Sequence, residues 1–87
     1  MKINFERLEI FQDIEKKICR VYDARKEFAN TIYLYCTGIE YHALAFKIFN
    51  SKGEEDYTDE EVEIIKIAVE RFGTPSFIDS VKDKLKQ

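Results

Sequence analysis

Residues 57–75 read YTDEEVEIIKIAVERFGTP, and this stretch carries the clearest structural signals in the chain. Thr58 and Glu61 have the spacing of a capping box, in which each side chain accepts a hydrogen bond from the other residue's backbone N–H. Gly73 stands where a left-handed residue commonly ends a helix. We therefore predict a capped amphipathic helix from Thr58 to Gly73.

A second helix is predicted to begin directly after the first. Thr74 can cap it, and Pro75 suits the first helical position because a backbone N–H there would be unpaired in any case. The apolar residues that follow recur at helical spacing and form one stripe that can face a core. This stripe consists of Phe77, Ile78, Val81 and Leu85.

The first half of the chain also shows apolar residues at helical spacing, interrupted only by Arg25. One helix from Phe5 to Cys36 would be about 48 Å long, whereas a compact chain of this length measures about 30 Å across. We expect that the helix either breaks around Tyr22–Asp23 or projects and pairs with another chain. The stripe comprises Leu8, Phe11, Ile14, Ile18, Tyr22, Ala29, Ile32 and Cys36.

Ile39–Phe49 is almost wholly apolar, which is the pattern of a central buried helix. The alternative is a β-hairpin with residues 31–36 and 40–46 as its arms around Thr37–Gly38. We favour the helix because the second arm is rich in alanine and because Thr-Gly is a weak hairpin turn.

These elements predict an all-α fold of four or five short helices in a compact orthogonal or bundle-like array. With 87 residues, the chain forms one small helical domain, residues 1–87. Three glycines and one proline leave little material for turns, which favours a few long elements over many strands. The alternative class is α+β, with the hairpin at about residues 31–46.

Charge and cysteine content bear on the cellular setting. The net charge of −3 is too small to imply a particular partner. Charged residues interrupt the first nine residues, and no apolar run reaches membrane-spanning length. Cys19 and Cys36 do not form a CxxC pair. We therefore expect a cytoplasmic protein with reduced thiols and no membrane contact.

The residues that carry most catalytic chemistry are scarce. His42 is the single histidine, and Glu40 cannot face it on a helix because residues two apart point in different directions. Cys19, Cys36 and His42 match no familiar zinc spacing, and the chain contains no phosphate-binding loop or nucleophile elbow. We expect no enzyme activity, cofactor, metal site or small-molecule substrate.

A basic patch at Lys16, Lys17 and Arg20 suggests an alternative function, that of a small nucleic-acid-associated regulatory protein. Two features argue against nucleic acid as the partner. The helix that begins at Thr58 is acidic, and the next helix is expected to turn Ser76 and Ser80 outward, together with aspartates, where a recognition helix carries arginine, lysine or amides.

The helix from Thr58 to Gly73 is more apolar than a surface helix requires. Ile64 and Ile67 fall outside its core stripe, so they need a second layer from this chain or from a partner. We take Ile64, Ile67 and Arg71 as candidate partner-binding residues. The function that we expect is a non-catalytic protein-interaction or assembly module that binds a protein partner or self-associates as a homodimer.

Overall fold

The computed structural model describes residues 1–86 and contains, within them, four helices and two small antiparallel sheets. The fold is therefore mixed α+β rather than purely all-α, with the predicted number of helices. The alternative α+β class is right, but its hairpin lies at residues 8–22 and not at 31–46. In chain order the elements are β1 (Lys2–Ile3), β2 (Leu8–Phe11), β3 (Cys19–Tyr22), α1 (Arg25–Tyr35), α2 (Ile39–Phe49), β4 (Glu55–Asp56), α3 (Asp59–Phe72) and α4 (Pro75–Leu85).

The two C-terminal helices begin at the predicted caps. The Glu61 backbone N–H donates to the Thr58 hydroxyl at 3.2 Å, and the Thr58 N–H donates to the Glu61 carboxylate at 2.9 Å. Thr74 accepts a hydrogen bond from the Phe77 N–H at 3.3 Å, and Pro75 occupies the first turn of α4. The predicted apolar stripe of α4 meets the core, with Val81 fully buried. Local capping chemistry thus sets both helix starts.

Gly73 ends α3, but the predicted left-handed conformation is wrong. Its φ is −77° and its ψ is 151°, an extended conformation open to any residue. The need for glycine is steric, because α4 turns back at once against the end of α3. A Cβ atom on Gly73 would lie 2.7 Å from the Val69 carbonyl oxygen and 3.1–3.2 Å from side-chain carbons of Phe77 and Ile78.

Asparagine distinguishes the steric explanation from the conformational one, because it tolerates left-handed φ but carries a Cβ. We expect Gly73→Asn to lower the free energy of unfolding by about 2 kcal/mol through overpacking. Gly53 is the matched control, since it has a φ of +62° and open space around it. Gly53→Asn should cost under about 1 kcal/mol. Urea unfolding measures both changes, and equal costs would contradict the steric explanation.

The N-terminal half forms a hairpin followed by a helix, so the predicted long helix is wrong. β2 and β3 pair in an antiparallel register that places Leu8 opposite Tyr22 and Ile10 opposite Arg20. The Asp13 carboxylate closes the turn by accepting the N–H groups of residues 17 and 18. α1 starts only at Arg25, whose N–H donates to Asp23 at 3.1 Å. The chain does change structure near the predicted break, but a hairpin precedes it.

The outer edge of β2 is covered by α4. The Phe11 N–H donates to the Ser80 hydroxyl at 3.0 Å, and the Ser76 hydroxyl donates to the Phe11 carbonyl. Ser80 is buried, so the expectation that these two serines face outward is wrong. Two side chains of a helix thereby satisfy backbone groups that a third strand would otherwise pair.

Residues 31–46 are helical, as favoured over the hairpin alternative. α1 packs along α2, and the turn between them uses Gly38 with a φ of +119°. α2 is buried on one side only, where Leu44, Ala45 and Ile48 enter the core. The predicted helix is thus confirmed. The prediction that it is buried on all sides is wrong, because the side opposite the core is exposed.

Lys47 connects three elements around the core. Its ammonium donates to the Asp56 carbonyl at 2.7 Å and to the Glu61 carboxylate at 2.8 Å. It also lies 4.7 Å above the centre of the Tyr57 ring, a cation–π contact. Tyr57 is buried, and burial raises the pKa of its phenol to about 12. Lys47 thereby anchors α2 to β4 and α3.

Glu61 makes this anchor sensitive to acid. Burial raises the pKa of its carboxyl, but the Lys47 ammonium and the Thr58 N–H outweigh burial and lower it overall. A carboxyl with a lowered folded-state pKa contributes stability above its unfolded pKa, and that contribution is lost as the pH falls through the folded-state value. Acidification should therefore weaken the fold partly through this residue.

We expect Glu61→Gln to be less stable than the native chain at about pH 7 and to lose less stability on acidification to about pH 3. Glu60→Gln, which changes an exposed carboxylate at the next position, serves as the control. Urea unfolding at both pH values measures the difference. An unchanged pH dependence in Glu61→Gln would show that the Lys47–Glu61 pair does not carry it.

Candidate partner-binding surface

The exposed side of α2 is apolar, like its buried side. Ile39, His42, Ala43, Phe46 and Phe49 all face solvent in the chain as folded. The first four occupy positions i, i+3, i+4 and i+7, so they adjoin along one helix face. The two charged residues of this helix lie elsewhere, Glu40 in its first turn and Lys47 in the ion pair with Glu61. α2 therefore exposes an apolar face with no charged side chain at its centre.

Aromatic contacts hold this face in place. The Phe46 ring lies 4.8 Å from the His42 ring and 5.9 Å from the Tyr33 ring of α1, with the Tyr33 contact edge-to-face. The rings of His42 and Tyr33 are 6.1 Å apart, centre to centre. Such aromatic pairs contribute about 0.5–1.5 kcal/mol beyond simple burial. The three rings therefore hold one another in place within the chain as folded.

A shallow groove of about 180 Å³ runs between α1 and α2. Ala29 and Ala45 are buried at its floor, and the small size of alanine leaves the groove open. Tyr33, Phe46 and Phe49 form its walls. We use the name α1–α2 face for this groove and the exposed residues that line or adjoin it, namely Tyr33, Ile39, His42, Phe46 and Phe49.

The α1–α2 face exposes a large apolar area for so small a chain. Tyr33, Phe46 and Phe49 are 57%, 48% and 49% exposed, which corresponds to roughly 300 Å² of aromatic surface. Ile39 at 80% raises the total to roughly 500 Å². The largest apolar patch of an ordinary monomer measures roughly 300–600 Å² and is often functional.

The predicted partner-binding residues on α3 have different surroundings. Ile64 is half-buried and packs against the core, whereas Ile67 is 44% exposed and Arg71 is exposed. Beside them, Phe72 stacks on Tyr35 of α1 at 5.6 Å. The structure thus brings Ile67 and Arg71 to the surface and covers Ile64 in part from within the chain.

The predicted basic patch lies at one end of the β2–β3 hairpin. Lys16 and Lys17 belong to the connection and Arg20 to β3, and all three are exposed. Lys17 pairs with Glu15 at 2.8 Å, and the Lys16 ammonium lies 5.4 Å above the Phe11 ring. Two of the three positive charges therefore have partners within the hairpin.

His42 and Cys36 have side chains that can act as a base or a nucleophile. The His42 ring is exposed and lies beside the Tyr33 and Phe46 rings, and burial raises the pKa of the Cys36 thiol, which opposes formation of the reactive thiolate. Within residues 1–86, no three His, Cys, Asp or Glu side chains come close enough to hold a metal ion. In the same part of the chain, no helix combines the length and apolar character needed to cross a bilayer.

Sequence reasoning did not identify four exposed apolar residues of α1 and α2, namely Tyr33, Leu34, Phe46 and Phe49. The signal was present in Ile39–Phe49, because a helix that is apolar all round must be covered on all sides. The pattern predicts that other parts of this chain cover the helix, but residues 1–86 cover only one side of it. Comparisons with protein-family models, with curated proteins and with solved structures found no match for the chain.

Proposed function

We propose that this chain is a non-catalytic, cytoplasmic assembly module that forms a homodimer through the α1–α2 face. The observation that carries the proposal is the one-sided burial of α2. Its exposed side is as apolar as its buried side, and a soluble helix of that composition is normally covered. A partner supplies the cover that the chain itself does not.

The charge distribution supports a second copy as that partner. In a twofold dimer the same surface meets itself, so any charge at its centre would face its own copy or a near neighbour. The α1–α2 face has tyrosine, histidine and apolar side chains at its centre and no aspartate, glutamate, lysine or arginine. Self-association through it therefore opposes no like charges at the centre, which removes the usual cost of such a contact.

The size of the exposed apolar area also supports a dimer. Two copies that cover one another's apolar residues bury roughly 1,000 Å² in total, about the lower bound for a specific interface. Tyrosine and phenylalanine at the centre of an interface carry a large share of its binding energy. Tyr33 and Phe46 are already ordered by their mutual contact, so little side-chain entropy is lost on association.

Phe46→Lys tests the proposal, because lysine retains helix propensity and places a charge at the centre of the α1–α2 face. We expect the native chain to sediment as a dimer and this variant as a monomer with the same helical circular dichroism. Ile67→Lys is the matched control, since Ile67 is exposed to a similar degree on α3. It should leave the dimer intact.

Three results would contradict the proposal. A native chain that remains monomeric at millimolar concentration would exclude the homodimer. A dimer dissociated by Ile67→Lys and not by Phe46→Lys would move the interface to α3, where Ile67 and Arg71 are exposed. A dimer unaffected by either change would place it elsewhere.

The alternative function, regulation of nucleic acid, gains no support from the hairpin. Of the three basic residues, Lys17 is neutralised by Glu15 and Lys16 lies over Phe11, so Arg20 is the single uncommitted charge. Phosphate binding usually draws on several lysines and arginines. We therefore propose the assembly module alone.

A further inference from the structure

The outer edge of β3 presents unpaired backbone groups. The Gln12 N–H donates to the Ile18 carbonyl at 2.8 Å, while the Ile18 N–H donates to Asp13, so residues 12 and 18 occupy a hydrogen-bonded position of the ladder with one of its two bonds. Such pairs alternate in antiparallel strands, and the register then makes Ile10–Arg20 and Leu8–Tyr22 the next two. The N–H and C=O groups of Cys19 and Val21 consequently point away from β2.

Position 11 confirms this alternation independently. Phe11 is opposite Cys19, and its backbone groups also point out of the hairpin, where Ser76 and Ser80 bind them. Within residues 1–86 nothing comparable binds the backbone of Cys19 or Val21, and all four residues of β3 are exposed. One edge of the hairpin is closed by α4 and the other is open.

The charges around the open edge select its partner. The four carboxylates of the hairpin region are engaged within the chain: Glu9 with Lys84, Asp13 in the turn, Glu15 with Lys17, and Asp23 with Arg25. The side chain of Arg20 forms no ion pair within residues 1–86. An uncompensated positive charge therefore lies in the middle of the open strand.

We propose that β3 binds an extended acidic peptide segment of another protein, which adds to the hairpin as a third strand. Backbone hydrogen bonds to Cys19 and Val21 would supply affinity. A carboxylate of the peptide placed opposite Arg20 would supply specificity. Apolar peptide residues two positions before and after that carboxylate would lie next to Ile18 and Tyr22. Those two side chains share a face with Arg20 because alternate residues of a strand point the same way.

A second copy of β3 is a poorer occupant. Antiparallel self-pairing that uses the outward groups of Cys19 or Val21 has three registers, in which Val21 lies opposite itself, Cys19 lies opposite itself, or Val21 lies opposite Cys19. They place Arg20 diagonal to, or directly opposite, the Arg20 of the second copy. Like charges in these positions destabilise a strand pair. The site is thus distinct from the proposed homodimer interface and independent of it.

The test uses the full chain and two synthetic peptides with blocked ends, TVTETVT and TVTKTVT, which differ only in the central charge. Amide hydrogen exchange followed by nuclear magnetic resonance is the readout. We expect TVTETVT to slow exchange at Cys19 and Val21 and to leave Arg20 and Tyr22 unchanged, because the last two are already bonded within the hairpin. TVTKTVT should bind at least about fivefold more weakly.

Val21→Pro removes one outward N–H and leaves the β2–β3 ladder intact, since proline is tolerated on an edge strand. It should weaken TVTETVT binding at least about fivefold. Val21→Thr retains the N–H and should bind like the native chain. Phe46→Lys should also bind normally, so failure of the homodimer would leave this result unaffected.

Several outcomes would overturn the proposal. Equal affinity for the two peptides would exclude charge selection, and protection of amides other than Cys19 and Val21 would exclude the edge. Equal binding by Val21→Pro and Val21→Thr would also exclude it. If neither peptide binds and Val21→Pro instead dissociates a dimer, a second copy occupies the edge. Because the exchange pattern is measured on the native chain, instability of a variant cannot hide the answer.

Discussion

The orientation of α2 depends on Lys47. Its ammonium binds the Asp56 carbonyl and the Glu61 carboxylate and lies over the Tyr57 ring, so one side of the helix is held against β4 and α3. Rotation about the helix axis would break all three contacts. Leu44, Ala45 and Ile48 consequently face the core, and Phe46 and Phe49 face outward. Lys47 and the buried apolar residues thus act together to fix which of the two faces of α2 is left exposed.

The bare face follows from the size of the chain as well as from this anchor. A domain of this length buries only somewhat more than 60% of its unfolded surface, roughly, and forms one core. That core is built from all four helices together with Phe5 and Leu8 near the N-terminus. Covering the second side of α2 would need another layer. Association supplies such a layer without lengthening the chain, which makes a small apolar module well suited to assembly.

The two edges of the β2–β3 hairpin differ in whether their backbone groups are bonded. β2 lies beside α4, whose Ser76 and Ser80 hydroxyls satisfy the Phe11 backbone, whereas β3 has no such neighbour among residues 1–86. Arg20 is a charge of the kind that discourages edge-to-edge pairing with a second copy. The same charge is attractive to an acidic strand. Protection from self-association and recognition of a different partner can therefore reside in one side chain.

The sequence by itself determined the features that depend on neighbours in the chain. The capping box of Thr58 and Glu61, the Thr74–Pro75 start and the helix at Ile39–Phe49 were predictable because each rests on contacts within a few residues. The homodimer expectation and the candidates Ile67 and Arg71 on α3 could be stated from sequence as well, but they stay predictions.

Tertiary structure decided the rest. Leu8 and Phe11 fit a helical stripe as readily as a strand, and pairing with β3 and with serines 65–69 residues away selected the strand. Gly73 is required by the close return of α4, not by its own backbone angles. The α1–α2 face could not be predicted from the sequence either. The hydrophobicity of a helix indicates that its sides must be buried, but it does not show which side the rest of the chain will bury.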